Sequence, residues 1–333
     1  MLGFFMLKNL RLKTDTFHII LIVFACIVAY SVPFQLFLFS YVVLGPLHYL
    51  TELVWLHEKK YFTASKVELI IIFICAIIVS ITYILYRLEI DVTTYIPFYK
   101  PIYSTHFIFL ALVAAISSIF LKNWTHKIYL LLLFLLGVYL FRNQFYYLFF
   151  IGLLLPTLVH VFVFTGVFML LGIQKSNNFW AKLCFMSFIL SAISLFIIPT
   201  NFSVLSEKIK IIYLTSGFEN LNKILIAIFD TINFNNEDKE LIFHSSFSIK
   251  IQRFIAFAYT YHYLNWFSKV HIIAWHKVNK TRLWWAILLW LLSLGIYFYD
   301  FKVGILTLYF LSMLHVLMEF PLNIQSIKVL IQR

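Results

Sequence analysis

Eighteen consecutive residues, LIIIFICAIIVSITYILY at 69–86, carry no charge. Wound as a helix at 1.5 Å per residue, such a run is about 27 Å long and spans most of the ~30 Å hydrocarbon core of a bilayer. Lipid offers no partners to backbone N–H and C=O groups, so a segment placed there has to satisfy them internally as a helix. Long uncharged runs recur along the chain, which is 62% hydrophobic and 12% charged. Soluble domains are about half apolar and about a quarter charged. The expected fold class is therefore all-α: a polytopic transmembrane helical bundle, one integral membrane domain over residues 1–333.

With about 20 residues per crossing as the ruler, ten spans are expected near 17–31, 34–56, 67–86, 104–121, 128–141, 145–172, 181–199, 251–271, 283–300 and 303–323. The sixth is long and contains Pro156, which marks a kink or two half-segments. Charge orients the spans. With the amino terminus inside, sixteen of the 26 basic residues fall on the cytoplasmic side, opposed by Asp15 and Glu58, with Glu68 at the boundary. The ten basic residues left outside meet nine acids, among them Glu89, Asp91, Glu207 and Glu219. A basic interior and a near-neutral exterior follow the positive-inside rule and place both termini in the cytoplasm, with a bacterial inner membrane as the expected location.

The formal charge of +12 thus sits in short loops between apolar spans and calls for no nucleic-acid partner. Cys26, Cys75 and Cys184 lie in apolar runs without CxxC spacing and read as small buried residues. Lys8, Arg11 and Lys13 precede the first span, as in an uncleaved anchor. One long extracytoplasmic connection covers about 200–250. In it LNKILIAIFDTI (221–232) has helical periodicity, and NFNNEDKE (233–240) is turn-like. GxSxG, HExxH and Walker-type motifs do not occur.

Against this background a few polar residues at bilayer depth stand out. His48, His160, His262 and His315 come from four separate spans, yet helical rise places each roughly 12–18 Å above the cytoplasmic boundary. Glu52 follows His48 by four residues and Glu319 follows His315 by four, so H-x-x-x-E occurs twice. Spacing of four puts both side chains on one helix face, a turn apart. A second layer, His57, His271 and His276, lies at the inner interface. His48/His57 and His262/His271 are nine apart, two and a half turns, so each pair faces opposite sides of its helix.

Ionisable residues inside a membrane are costly and face partners within the bundle. Neutral imidazole together with carboxylate suits iron, manganese or zinc, and helical bundles build such sites from facing helices. The expected metal ligands are His48, His160, His262, His315, Glu52 and Glu319. The two glutamates either bridge metals or orient imidazoles, and they are the catalytic candidates. A proton or ion path, or plain structural hydrogen bonding, is the alternative use of the same residues. Tyr49, Tyr261, Asn265 and Trp266 flank the histidines as candidate substrate-binding residues, Tyr and Trp serving equally as interfacial belt. His106, His126 and His244 sit at span ends or in loops, and His18 at the interface. Glu68 opens the third span, where a helix amino terminus favours an acid.

A metal at this depth is reached most directly by a lipid, a quinone or an isoprenoid, and iron with an open position activates O₂. The leading expectation is a non-haem iron oxygenase, desaturase or hydroxylase acting on an apolar membrane-dissolved substrate, with membrane lipids and an electron donor as partners. Three other classes use the same features. A bis-histidine haem cytochrome would be red. A transporter or proton-conducting protein would break its helices at the binding layer, as Gly45, Pro46 and Pro156 allow. A non-catalytic subunit would use the layer only to pin helices.

The HxxxH and HxxHH boxes of membrane fatty-acid desaturases are not found in this chain. In span layout, with His48, His160, His262 and His315 scattered over separate spans, the chain resembles the bacterial Brp/Blh membrane β-carotene dioxygenases. That resemblance implies a multi-spanning protein in which histidines from separate helices hold one iron. It rests on layout, without a local motif, so it assigns no residue a role. The H-x-x-x-E pairs stand outside it.

Overall fold

The computed structural model describes residues 2–59, 66–90, 104–200, 205–229, 241–269 and 279–332. All regular structure among them is helical: α1 (Leu2–Ser31), α2 (Pro33–Phe39), α3 (Gly45–Lys59), α4 (Lys66–Arg87), α5 (Ser104–Phe120), α6 (Trp124–Phe141), α7 (Phe145–Tyr147), α8 (Phe164–Ser176), α9 (Phe179–Ile197), α10 (Glu207–Ser216), α11 (Glu219–Phe229), α12 (Leu241–His244), α13 (Ser246–Ser268), α14 (Lys280–Tyr299) and α15 (Phe301–Ile331). Among the described residues, wide-turned π-helical stretches join neighbours at Ser40–Leu44, between α2 and α3, and at Leu148–Val163, between α7 and α8.

Among the described residues, seven helical segments are long and apolar enough to cross a membrane: Pro33–His57, Lys66–Arg87, Trp124–Phe141, Phe145–Ser176, Phe179–Ile197, Lys280–Tyr299 and Phe301–Ile331. Asp15–Ser31 and Ser104–Phe120 are shorter apolar helices. The chain is an all-α integral membrane protein. A helix stands at each of the ten expected positions, but α13 falls outside both apolar groups. Its buried residues include Ser248, Gln252, Arg253, Thr260, His262 and Asn265, too polar a set for the lipid criterion.

The chain divides into two units. Met1–His48, Phe168–Lys277 and Leu294–Lys302 form the first, and Tyr49–Val167, Val278–Ser293 and Val303–Arg333 the second. In the first unit α13 packs against α1, α2 and α9. Phe188 of α9 wedges beside Phe257 and Tyr261 of α13, ring centroids 5.8 and 5.3 Å away. Ser40 Oγ and Thr260 Oγ1, 2.7 Å apart, pin the first π-helical stretch to α13. The described part of the 200–250 connection sits on α13 through a buried polar network. Tyr213 Oη donates to Gln252 Oε1 at 2.7 Å, Asn222 Nδ2 donates to the same oxygen at 3.3 Å, and Ser248 Oγ donates to Asn222 Oδ1 at 3.0 Å. Gly217, at φ 86°, makes the left-handed turn that ends α10 and starts α11. Helix α11 falls where periodicity placed one. NFNNEDKE, His271 and His276 lie outside the described residues.

In the second unit α4 packs against α5, and α5 against α6 and the long π-helical stretch. The approach of that stretch to α5 depends on Gly152, where a Cβ would overlap the Thr105 side chain. Tyr83 of α4 stacks on Tyr309 of α15 at 3.8 Å. Glu68 stands in the first turn of α4, as expected, and has a further role. It is buried, and beyond opening α4 it takes a short ion pair from Lys127 of α6 and a 3.4 Å hydrogen bond from Ser117 of α5. The three cysteines are free, as expected, with Cys75 and Cys184 buried.

Candidate metal centre

Helix α3 starts at Gly45-Pro46 directly after the wide-turned Ser40–Leu44, so the backbone enters its first turn already wound. The Gly45 N–H still bonds the Ser40 carbonyl across the wide turn, and such a widening is how a continuing helix passes a proline that has no N–H to give. Gly45 lets this start approach α13: a Cβ would stand 3.3 Å from Tyr263 Oη. One turn on, His48 meets His262, the two Nε2 atoms 3.1 Å apart and the rings edge to face at 78°. Tyr263 and Trp266 border His48, with ring centroids 5.1 and 5.4 Å away. These residues form the buried aromatic–imidazole cluster of the first unit.

The second unit has its own cluster. His160 comes from the π-helical Leu148–Val163, which contains Pro156. Proline removes an N–H and crowds the preceding turn, and wide turns of this kind recur at functional sites. His160 Nδ1 lies 3.0 Å from Glu319 Oε2, and its ring centroid lies 5.1 Å from that of His315. His315 and Glu319 share a face of α15 at the expected spacing of four. Tyr49 lies over His315, centroids 5.6 Å apart. Glu52 is buried on α3, one turn after His48. None of His48, Glu52, His160, His262, His315 and Glu319 is more than 7% exposed.

The sequence expectations thus map unevenly. His48 with His262, and His160 with His315, Glu319 and Glu52, are gathered in their respective units. Tyr49 and Trp266 flank histidines as expected. Tyr261 does not. One residue from His262 turns it by about 100°, and its hydroxyl lies 3.4 Å from His18 Nδ1. Asn265 is buried, and its Oδ1 has no hydrogen-bond partner among the described residues. His18, expected at an interface, is buried between Tyr261 and Ser268. His57 is exposed and accepts from Arg282 at 2.9 Å, apart from the buried clusters.

One residue escaped the sequence reading. Asn323 is fully buried, and neither of its amide atoms has a hydrogen-bond partner among the described residues. It extends the α15 face by one more turn, giving His315, Glu319 and Asn323 at equal spacing of four. Continuing H-x-x-x-E into H-x-x-x-E-x-x-x-N would have found it.

In the second unit Glu52 and His315 also offer donor atoms within 4.8 Å of each other, and imidazole and carboxylate are donor types that can hold a metal ion. Fold and site together define a helical integral membrane protein with buried His/Glu clusters. Comparison with protein-family models, with curated proteins and with solved structures finds no match to this chain.

Proposed function

We propose that the protein is a membrane-embedded metalloenzyme, a non-haem iron oxygenase, desaturase or hydroxylase acting on an apolar lipid or isoprenoid. Its metal ligands are drawn from His48, His160, His262, His315, Glu52 and Glu319. Zinc and manganese fit the same donors less specifically. In this reading the protein crosses a bacterial inner membrane about ten times, with both termini in the cytoplasm.

The observation that carries the reading is a length. His48 and His262 hold donor nitrogens 3.1 Å apart, and His160 and Glu319 hold a nitrogen and an oxygen 3.0 Å apart. With metal–nitrogen bonds of about 2.0–2.1 Å, adjacent ligands stand about 2.9 Å apart at right angles and about 3.4 Å apart in a tetrahedron. Both pairs have the edge length of a coordination polyhedron. Axial ligation of a haem needs about 4 Å between opposed nitrogens by the same bond length, so the His48–His262 pair disfavours the cytochrome. The carboxylates add a second support. Glu52 and Glu319 are both buried, a buried carboxylate is expensive to keep charged, and a divalent cation relieves that cost.

When bound, iron would supply O₂ activation. The chain's own residues hold donors in place, keep water out through burial, and offer the Tyr49, Tyr263 and Trp266 rings as apolar walls. The test is metal content of detergent-purified protein by mass spectrometry, with its visible spectrum. The reading expects about one or two iron per chain without haem bands, lost in His160→Ala. A protein that takes up no metal even after anaerobic iron loading refutes it.

A further inference from the structure

The backbone that carries His160 is not α-helical. Over Leu148–Val163 it forms a π-helix, and at its end the Phe164 N–H reaches five residues back to the Val159 carbonyl. Wide turns are rare and occur mostly singly, so a run of sixteen residues needs a cause.

Two residues four apart supply one. In an α-helix the ring of Pro156 would crowd the Gly152 carbonyl and leave it without an N–H partner. Helices commonly answer a proline by kinking. Proline alone does not widen a helix in this chain, because α15 stays α-helical through Pro321. The residue four before Pro321 is Leu317. Its counterpart Gly152 is pressed on α5, where a Cβ would overlap the Thr105 side chain. The start of the stretch is tied to α5 as well, with Tyr147 Oη 2.9 Å from His106 Nδ1. Held on that side, the helix makes room for the ring by widening.

Widening changes direction. A wide turn holds about one residue more than an α turn, and one residue is about 100° of rotation. His160 follows Pro156 by four residues. It therefore faces where Val159 would face if the turn around Pro156 were α-helical. That direction is the one that puts His160 Nδ1 3.0 Å from Glu319 Oε2 and its ring centroid 5.1 Å from that of His315.

We propose that Pro156 is a positioning residue: by widening the helix against Gly152 and Thr105, it rotates His160 onto Glu319 and His315. The inference rests on the metal reading for what His160 then does. The direction of His160 is tested apart from it.

The experiment uses Pro156→Ala in the full-length, detergent-purified protein, where the restored N–H lets the turn close to α. In chelator, the variant is expected to unfold at or above the wild-type temperature, because a proline has left a helix interior. Its iron(II) affinity is expected to fall at least about tenfold, as for other losses of a ligand's orientation. A general packing defect would lower both. A third readout needs no metal. In chelated protein labelled with ¹⁵N at histidine, the His160 imidazole signals, identified by their absence in His160→Gln, should move as the contact with Glu319 opens. A register swap sharpens the test. Val159→His combined with His160→Val should bind iron in the Pro156→Ala background and fail to bind it beside the native proline. If stability and affinity fall together, if the His160 signals stay in place, or if the swap binds no better in the alanine background, the proposal is overturned. If wild type takes up no iron, the metal reading fails and the imidazole signals alone decide. If Pro156→Ala does not fold, Thr105→Ala, which frees Gly152, should move the same signals. Unmoved signals in that variant overturn the proposal equally.

Discussion

Replacing Glu319 by glutamine keeps the size of the side chain and one of its oxygens, and removes its charge. The two accounts of this residue then predict opposite signs. As a metal ligand or an orienter of His160, 3.0 Å away, its loss should weaken metal binding by about 10–100-fold. Metal at about 100 times its dissociation constant stabilises the wild type by about 2.7 kcal/mol through mass action, and in Glu319→Gln the same concentration leaves about 0.4–1.4 kcal/mol. Without a metal, a buried carboxylate carries a desolvation cost that a neutral amide escapes, and the replacement should hold or raise stability. The assay is thermal unfolding in detergent with iron(II) and with chelator, alongside metal content of the same samples. A Glu319→Gln protein that keeps wild-type metal content and the full metal-dependent stabilisation refutes the assignment.

In the Glu68–Lys127 pair the carboxylate is buried and the lysine half-buried, so Lys127→Met, which leaves the carboxylate its bond from Ser117 but removes its ion pair, should cost about 1–3 kcal/mol, and adding Glu68→Leu should restore much of it; denaturant unfolding of the two variants reads the difference. Gly152→Ala places a methyl against Thr105 and should destabilise by about 1–3 kcal/mol, with Thr105→Ala added as the rescue. Burial pushes the Tyr213 phenol well above its ordinary value, so its contribution to stability is present below about pH 10 and is lost as alkali forces ionisation. Tyr213→Phe should flatten that alkaline decline in a pH series of melts.

Hydropathy made most of the fold legible, because lipid leaves a helix as the form in which a long apolar run can satisfy its backbone. What it misread depends on directions and distant partners. Glu68 resembles a helix-end acid until Lys127 is brought to it by a different helix. Tyr261 is adjacent to His262 in sequence and a sideways turn away in space. Arg253 reads as one more outer-loop cation, and its burial emerges once α1 and α13 are packed. The wide turns of 148–163 escape any pattern built on 3.6 residues per turn, although Pro156 marks their place. Of the candidate site, the two H-x-x-x-E pairs were legible because their spacing lies within single helices. The closeness of His48 to His262, and of His160 to Glu319, depends on helix rotation, which residue spacing leaves open.

Helix α6 has only 6% of its apolar window buried inside the protein, against 56% for α15. Lipid tails accept any hydrocarbon of suitable bulk, and they provide no hydrophobic drive that would tie one helix face to another. A residue facing them is constrained in kind but not in identity. Over descent, α6 and α14 should exchange leucine, phenylalanine and isoleucine at little cost, while His315, Glu319 and Asn323 on α15 should change little. Relatives of this chain should therefore be recognised by a few fixed letters at fixed spacing within α3, α13 and α15, long after the rest of the text has drifted.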